Sequence, residues 1–122
     1  GVCEYTVQGT EFDATFTDNC MSGSITNDFN NSVSLAGAVL PIGDTTVVWI
    51  VDDGNGQTDT CTTVITVEDN EAPVITCVAD DTRDTDSGSC EYTVQGTEFD
   101  ASFTDNCMSS TITNDLNGTA TI

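Results

Sequence analysis

The sequence predicts an all-β chain made of tandem immunoglobulin-like β-sandwich repeats, with about seven strands in each 87-residue unit. Three observations carry this. Apolar residues alternate with polar ones at a period of two, and no stretch shows the 3.6-residue period of an amphipathic helix. Thr, a β-branched residue that suits strands, is the commonest type with 22 copies. Residues 3–35 recur as residues 90–122 at an offset of 87, with 24 of 33 positions identical.

The elements follow in order. Tyr5 and Val7 alternate with Glu4, Thr6 and Gln8, and Phe12, Ala14 and Phe16 alternate with Glu11, Asp13 and Thr15. The apolar phase flips across Gly9-Thr10, which places a bulge or break there. Ser24–Phe29 reads as a short strand. Leu35–Leu40 is an apolar run ended by Pro41-Ile42-Gly43-Asp44, a turn signal. Thr45–Val51 is the strongest strand, with Val47, Trp49 and Val51 on one face, so Trp49 reads as core rather than as a stacking platform. Asp52-Asp53-Gly54-Asn55-Gly56 is a tight turn, and Thr58–Val67 returns from it. Glu68-Asp69-Asn70-Glu71-Ala72-Pro73 is a polar linker, and Val74–Val78 opens the next unit. The domains expected are residues 1–70, a first repeat without its opening strand, and residues 71–122, the first part of a second. A chain of about 1.4 repeats is expected to be a window on a longer array, or a subunit completed by strand exchange with a neighbour.

Composition excludes several functions. The chain has 122 residues, 21 Asp+Glu, one basic residue (Arg83), no His and a net charge of −20. Nothing neutralises a row of phosphates, so no nucleic acid is expected as partner. An anionic membrane surface repels the chain, and no apolar run approaches the roughly 18 residues that span a bilayer. Without His or Lys, the commonest general base and any Schiff base are missing, and no enzyme is expected. Glu11 and Asp13 could be imagined as a glycosidase pair, but solvent exposure on a strand is the better account.

Twenty uncompensated charges repel one another and destabilise a compact state. A folded acidic chain without internal cations points to external ones, and hard oxygen ligands in excess point to Ca²⁺. Asp69, Asn70 and Glu71 in the linker, with Asp105 in a loop of the second unit, form one candidate metal set. Asp18 with Asp52, Asp53 and Asn55 forms its equivalent at the preceding junction. The competing account is that Asp-Asn and Asp-Gly are ordinary turn residues. Asp80, Asp81, Asp84 and Asp86 read as a solvated loop with a local Arg83–carboxylate pair. Asn30-Asn31-Ser32 and Asn117-Gly118-Thr119 fit the N-glycosylation pattern, and Asp44-Thr45-Thr46 resembles an O-glycosylation site of some bacteria.

Six cysteines in a short acidic β chain read as disulfides and an oxidising, extracellular or cell-surface location. Zinc is disfavoured by the lack of His and of any C-x₂-C pair. The spacing of 17 from Cys3 to Cys20 equals that from Cys90 to Cys107, which predicts Cys3–Cys20 and Cys90–Cys107.

The ordered elements Glu71-Ala72-Pro73-Val74-Ile75-Thr76-Cys77, Asp105-Asn106-Cys107, Leu40-Pro41-Ile42-Gly43 before Thr46-Val47-Val48-Trp49, and Val51-Asp52-Asp53-Gly54-Asn55-Gly56 leading to Cys61 resemble the hyalin repeat. The resemblance covers essentially the whole chain and is greatest to copies in very large bacterial surface proteins. It implies an immunoglobulin-like sandwich used in adhesion and as an extracellular spacer, with no catalytic activity. It also implies that Cys61 and Cys77 bond partners outside the chain; Cys20–Cys61 and Cys61–Cys77 stand as alternatives. The acidic linker is similar to those between cadherin domains, where calcium stiffens the joint. The function expected is a structural repeat of a secreted or surface fibre, filament or stalk, joined head to tail to copies of itself and stiffened by disulfides and calcium. The alternatives are an adhesin module for a glycan or protein, and an accessory region of a secreted enzyme.

Overall fold

A computed structural model describes residues 2–20, 22–107 and 110–122. The chain divides into two compact units, Val2–Asp69 and Asn70–Ile122. Among the described residues there are strands and turns and no helix. All strand pairings are antiparallel.

The first unit holds five strands: β1 (Glu4–Thr6), β2 (Ser24–Asn27), β3 (Val39–Pro41), β4 (Gly43–Asp52) and β5 (Thr58–Val67). β1 pairs with β3, and β4 lies between β2 and β5. The long β4–β5 hairpin is where β-branched residues are densest, and its register runs from Gly43 opposite Val67 to Asp52 opposite Thr58. Pro41 ends a strand in a two-stranded sheet, a position that tolerates a missing N–H donor.

The two sheets share one core. Leu40 from β3, Val47 and Trp49 from β4, Ile65 from β5, and Val7 and Leu35 from the adjoining loops form a single buried cluster. This is consistent with a β-sandwich, in which two sheets bury their inner faces against each other. Alternation puts Val47 and Trp49 inside and Thr46 outside, as expected for one face of a strand. Asn27 is the one buried polar side chain among the described residues. Its amide is satisfied: Nδ2 donates to Ser32 O, and Oδ1 accepts from the N–H of Phe29 and Asn30.

The second unit holds β6 (Val74–Thr76) paired with β7 (Ser102–Thr104). Its turns reproduce those of the first unit at the offset of 87. Tyr5 OH and Gln8 N–H donate to Glu11 Oε1, and Tyr92 OH and Gln95 N–H donate to Glu98 Oε1. Leu35 N–H donates to Asp13 Oδ1, and Ile122 N–H to Asp100 Oδ1. The Tyr5–Phe12 and Tyr92–Phe99 rings sit edge to face at 6.4 and 6.3 Å. Asn31 has φ 56°, and its counterpart Gly118 has φ 74°, so this substitution keeps a left-handed turn residue. Gly9, at φ 57°, ends the first strand's path where the apolar phase flips.

Two expectations need correction. Phe12–Phe16 forms no strand: Glu11, which stays exposed, and Asp13, which is half-buried, accept hydrogen bonds from the N–H groups of Gln8 and Leu35 instead. The pairings Cys3–Cys20 and Cys90–Cys107 are not formed: Cys20 and Cys90 are free thiols, while Cys3 and Cys107 are disulfide-bonded. Topology explains the first. Cys3 precedes Glu4, which pairs with Pro41 near the start of β4, whereas Ser22, two residues past Cys20, donates its hydroxyl to Asp53 O beyond the end of β4. The length of β4 separates these ends by roughly 30 Å at about 3.3 Å per residue, against the ~7 Å limit on Cα separation in a disulfide. In the second copy the aligned cysteines take the opposite states, so equal spacing does not carry equal pairing.

Truncating Leu40, which is fully buried in the shared core, is expected to cost about 2–5 kcal/mol in urea unfolding. Asn31→Ala is expected to cost about 1–2 kcal/mol and Asn31→Gly much less, because alanine is strained at positive φ. Equal effects of the two would contradict the turn assignment.

Candidate functional site

A cleft of about 370 Å³ lies in the first unit beside the face of the β4–β5 hairpin. Its apolar lining is Ala14, Phe16, Ile25, Trp49 and Val51, and its polar lining includes Thr15, Thr17, Asp59 and the free thiol of Cys61. Strand alternation places Trp49 at its floor, opposite Cys61 in the ladder. Trp49 is 1% exposed, and its Nε1–H has no acceptor. A buried donor left without a partner costs about 1–3 kcal/mol, so a cleft beside one is chemically distinctive. The sequence placed Trp49 in the core, which holds, but gave no sign of the open cleft beside it.

A second, shallower cleft of about 170 Å³ brings Asp18 together with Asp53, Gln57 and Asp59. Asp18 Oδ2 is buried there and accepts no hydrogen bond. Asp52, Asp53 and Asn55 form the β4–β5 turn as Asx-type acceptors and donors. Asp52 Oδ1 accepts from Gly54 N–H, and Asp53 Oδ1 accepts from the N–H groups of Asn55 and Gln57. The Gln57 and Asn55 amides hold the Asp53 carboxyl below its ordinary range, because they bind the charged form. Asp18 and Asp53 are thus brought to one end of the first unit, and Asp53, like Asp52 and Asn55, is also engaged in the turn's own hydrogen bonds.

Of the other candidate ligands, Asp69 closes the first unit, and Asn70, Glu71 and Asp105 belong to the second. The Asp105 carboxylate accepts from the Ser110 hydroxyl. Among the described residues, no group of three or more Asp, Glu, Cys or His side chains converges as a metal shell would require. Cys61 and Cys77 are exposed thiols.

The chain's single cation is committed locally. Arg83 Nε lies 2.7 Å from Asp81 Oδ2, and its guanidinium reaches Glu98 at 3.5 Å and stacks 5.4 Å from the Phe99 ring centroid. Arg83 holds the Asp81 carboxyl low; the Tyr92 hydroxyl, with the Gln95 amide and Arg83, does the same for Glu98. Sequence reasoning missed Glu11 and Glu98 as structural acceptors. Their signal was the spacing Tyr-x₅-Glu, present in both copies.

Comparison of the chain with protein-family models, with curated proteins and with solved structures finds no match in any of the three.

The phenols of Tyr5 and Tyr92 are pushed above the ordinary value by their hydrogen bonds to Glu11 and Glu98. A raised acid of this kind stabilises the fold fully below the unfolded value of about 10 and loses that contribution as pH rises through the folded value. Phenolate absorbance is expected to show both tyrosines titrating late. Glu11→Gln should bring Tyr5 down and leave Tyr92 unchanged; a joint shift would contradict independent pairs.

Proposed function

We propose that the chain is a structural repeat of a secreted or cell-surface fibre, filament or stalk, in which immunoglobulin-like sandwiches follow one another head to tail. The observation that carries this reading is the recurrence at an offset of 87, which duplicates side-chain hydrogen bonds as well as sequence. A stack of equal units is quasi-one-dimensional, and its mechanical role needs uniformity rather than a unique site. Disulfide-bonded Cys3 and Cys107 support an oxidising, extracellular location. No helix among the described residues is long and apolar enough to cross a membrane. The acidic surface supports a role without nucleic acid, and the residue types present support a non-catalytic one.

The resemblance to hyalin repeats supports the same reading and its alternative, an adhesin module. The 370 Å³ cleft is the observation that favours the alternative, since apolar concavities with a few polar groups take ligands. Near-identity of the two copies favours the spacer.

Calcium belongs to the proposal through one feature of the first unit. Asp18 Oδ2 is buried without a donor in a cleft shared with Asp53, and a cation would neutralise both. Calcium held by such carboxylates is proposed to stiffen the joint between repeats, the part expected of the acidic linker.

In small-angle scattering, concatenated arrays of two, four and six repeats should show a radius of gyration rising in proportion to repeat number, against the roughly 0.38 power of a globule. Globular scaling sinks the fibre reading. Calcium should raise the melting temperature of the chain, and Asp18→Asn should abolish the rise. An unchanged melting temperature with calcium and with chelator removes calcium from the proposal.

A further inference from the structure

One turn of the repeat carries chemistry that the sandwich does not use. Asn30-Asn31-Ser32 and Asn117-Gly118-Thr119 each set a hydroxyl residue two positions after an asparagine, the acceptor pattern for N-linked sugar. The two segments align at the offset of 87. Of the chain's nine asparagines, only these two have Ser or Thr in that position.

Both copies hold the pattern in the same turn. Asn27 Oδ1 accepts from the N–H groups of Phe29 and Asn30, and its Nδ2 donates to Ser32 O. Asn114 makes the same bonds to Leu116, Asn117 and Thr119. Asn27 is 1% exposed and spends its amide inside the turn, whereas Asn30 is exposed beside the β2–β4–β5 sheet. Asn117 is exposed as well. These bonds join residues at most five apart, so the turn is built by its own sequence in either unit.

The acceptor's hydrogen bonds leave the reacting atom a spare proton. Asn30 Oδ1 accepts from Ser32 N–H, and Nδ2 donates to Ser34 O at 3.0 Å. Asn117 Oδ1 accepts from Thr119 N–H, and Nδ2 donates to Thr121 O at 3.0 Å. A side-chain amide has two N–H donors, and the turn uses one of them in each copy. A sugar-bearing amide keeps one N–H, the number that the turn requires. The Thr119 hydroxyl lies 2.7 Å from Asn117 Oδ1, so the two groups of the pattern meet. An exposed aspartate stands two residues before each acceptor, Asp28 and Asp115. A fixed negative charge at that place is one that a cationic groove of a transferase can read.

We propose that Asn30 and Asn117 are N-glycosylation sites, so that each repeat carries one oligosaccharide on the same turn. The donor is an oligosaccharide linked to a polyprenyl pyrophosphate, and the segment recognised is Asp-x-Asn-x-Ser/Thr. In the transfer, Nδ2 attacks the anomeric carbon and a C–N bond forms. The bond from that carbon to the pyrophosphate oxygen breaks, and the polyprenyl pyrophosphate leaves with the electron pair. The spare Nδ2 proton passes to a base of the transferase. The inference goes beyond the repeat reading and shares with it only the secreted location.

The test uses the chain isolated from the cells that secrete it. Cleavage before aspartate gives one peptide that begins at Asp28 and one that begins at Asp115, each holding one site. Mass spectrometry is expected to find an oligosaccharide on Asn30 and on Asn117, and none on Asn27, Asn31 or Asn114. A peptide N-glycosidase should remove it and leave aspartate at positions 30 and 117. Ser32 serves the turn through its backbone N–H and C=O, so Ser32→Ala keeps those bonds. That variant, made in the same cells, should lose the sugar at Asn30 and keep it at Asn117, and Ser32→Thr should keep both. Asp115→Asn should lower occupancy at Asn117 severalfold and leave Asn30 unchanged. A bare peptide at either site, or a sugar that survives Ser32→Ala, overturns the proposal. Occupancy at Asn117 unmoved by Asp115→Asn overturns the part given to the aspartate. The scattering experiment separates the two ideas: rod-like arrays with bare asparagines sink the glycan alone, and globular arrays with sugar on both sites sink the repeat reading alone.

Discussion

Backbone pairing decides what each stretch of this chain becomes. A strand's N–H and C=O groups need partners once they leave water, and in a sheet only a neighbouring strand supplies them all. The repeated sequence makes the dependence visible. Glu4–Thr6 is a strand beside β3, while the identical Glu91-Tyr92-Thr93 is none. Ser24–Asn27 is a strand beside β4, while Thr111-Ile112-Thr113-Asn114 is none. Ser102–Thr104 is a strand beside β6, while Thr15-Phe16-Thr17 is none. Within these residues the second copy has no counterpart of β3 or β4, and the first has no counterpart of β6.

Short-range interactions behave differently. The Tyr–Glu, Gln–Glu and Asn–turn hydrogen bonds appear in both copies, because each joins residues at most six apart. Such contacts lose little chain entropy on forming and need no distant partner. They supply prefolded turns on which strands assemble. Substitutions between the copies respect them, as Asn31 and Gly118 show at one left-handed position.

Charge acts on the same frame from outside. With one arginine among so many carboxylates, most acids find their hydrogen-bond donors in the backbone: Asp13, Asp28, Asp52, Asp53 and Asp100 each accept from main-chain N–H groups. The carboxylates thus serve as local staples as well as a repulsive surface, and Asp18 stands apart because its buried oxygen has no such donor.

The sequence by itself determined the strand-rich class, the β4–β5 hairpin with its Asp-Gly turn, the buried face of Val47 and Trp49, and the recurrence of the unit. All of these follow from alternation, turn chemistry and identity along the chain, which are local properties. Only the tertiary structure decided which cysteines are bonded, which copies of a segment become strands, and where a cleft opens beside Trp49. Those outcomes depend on distances through space between residues far apart in sequence, and two nearly identical stretches can meet different neighbours.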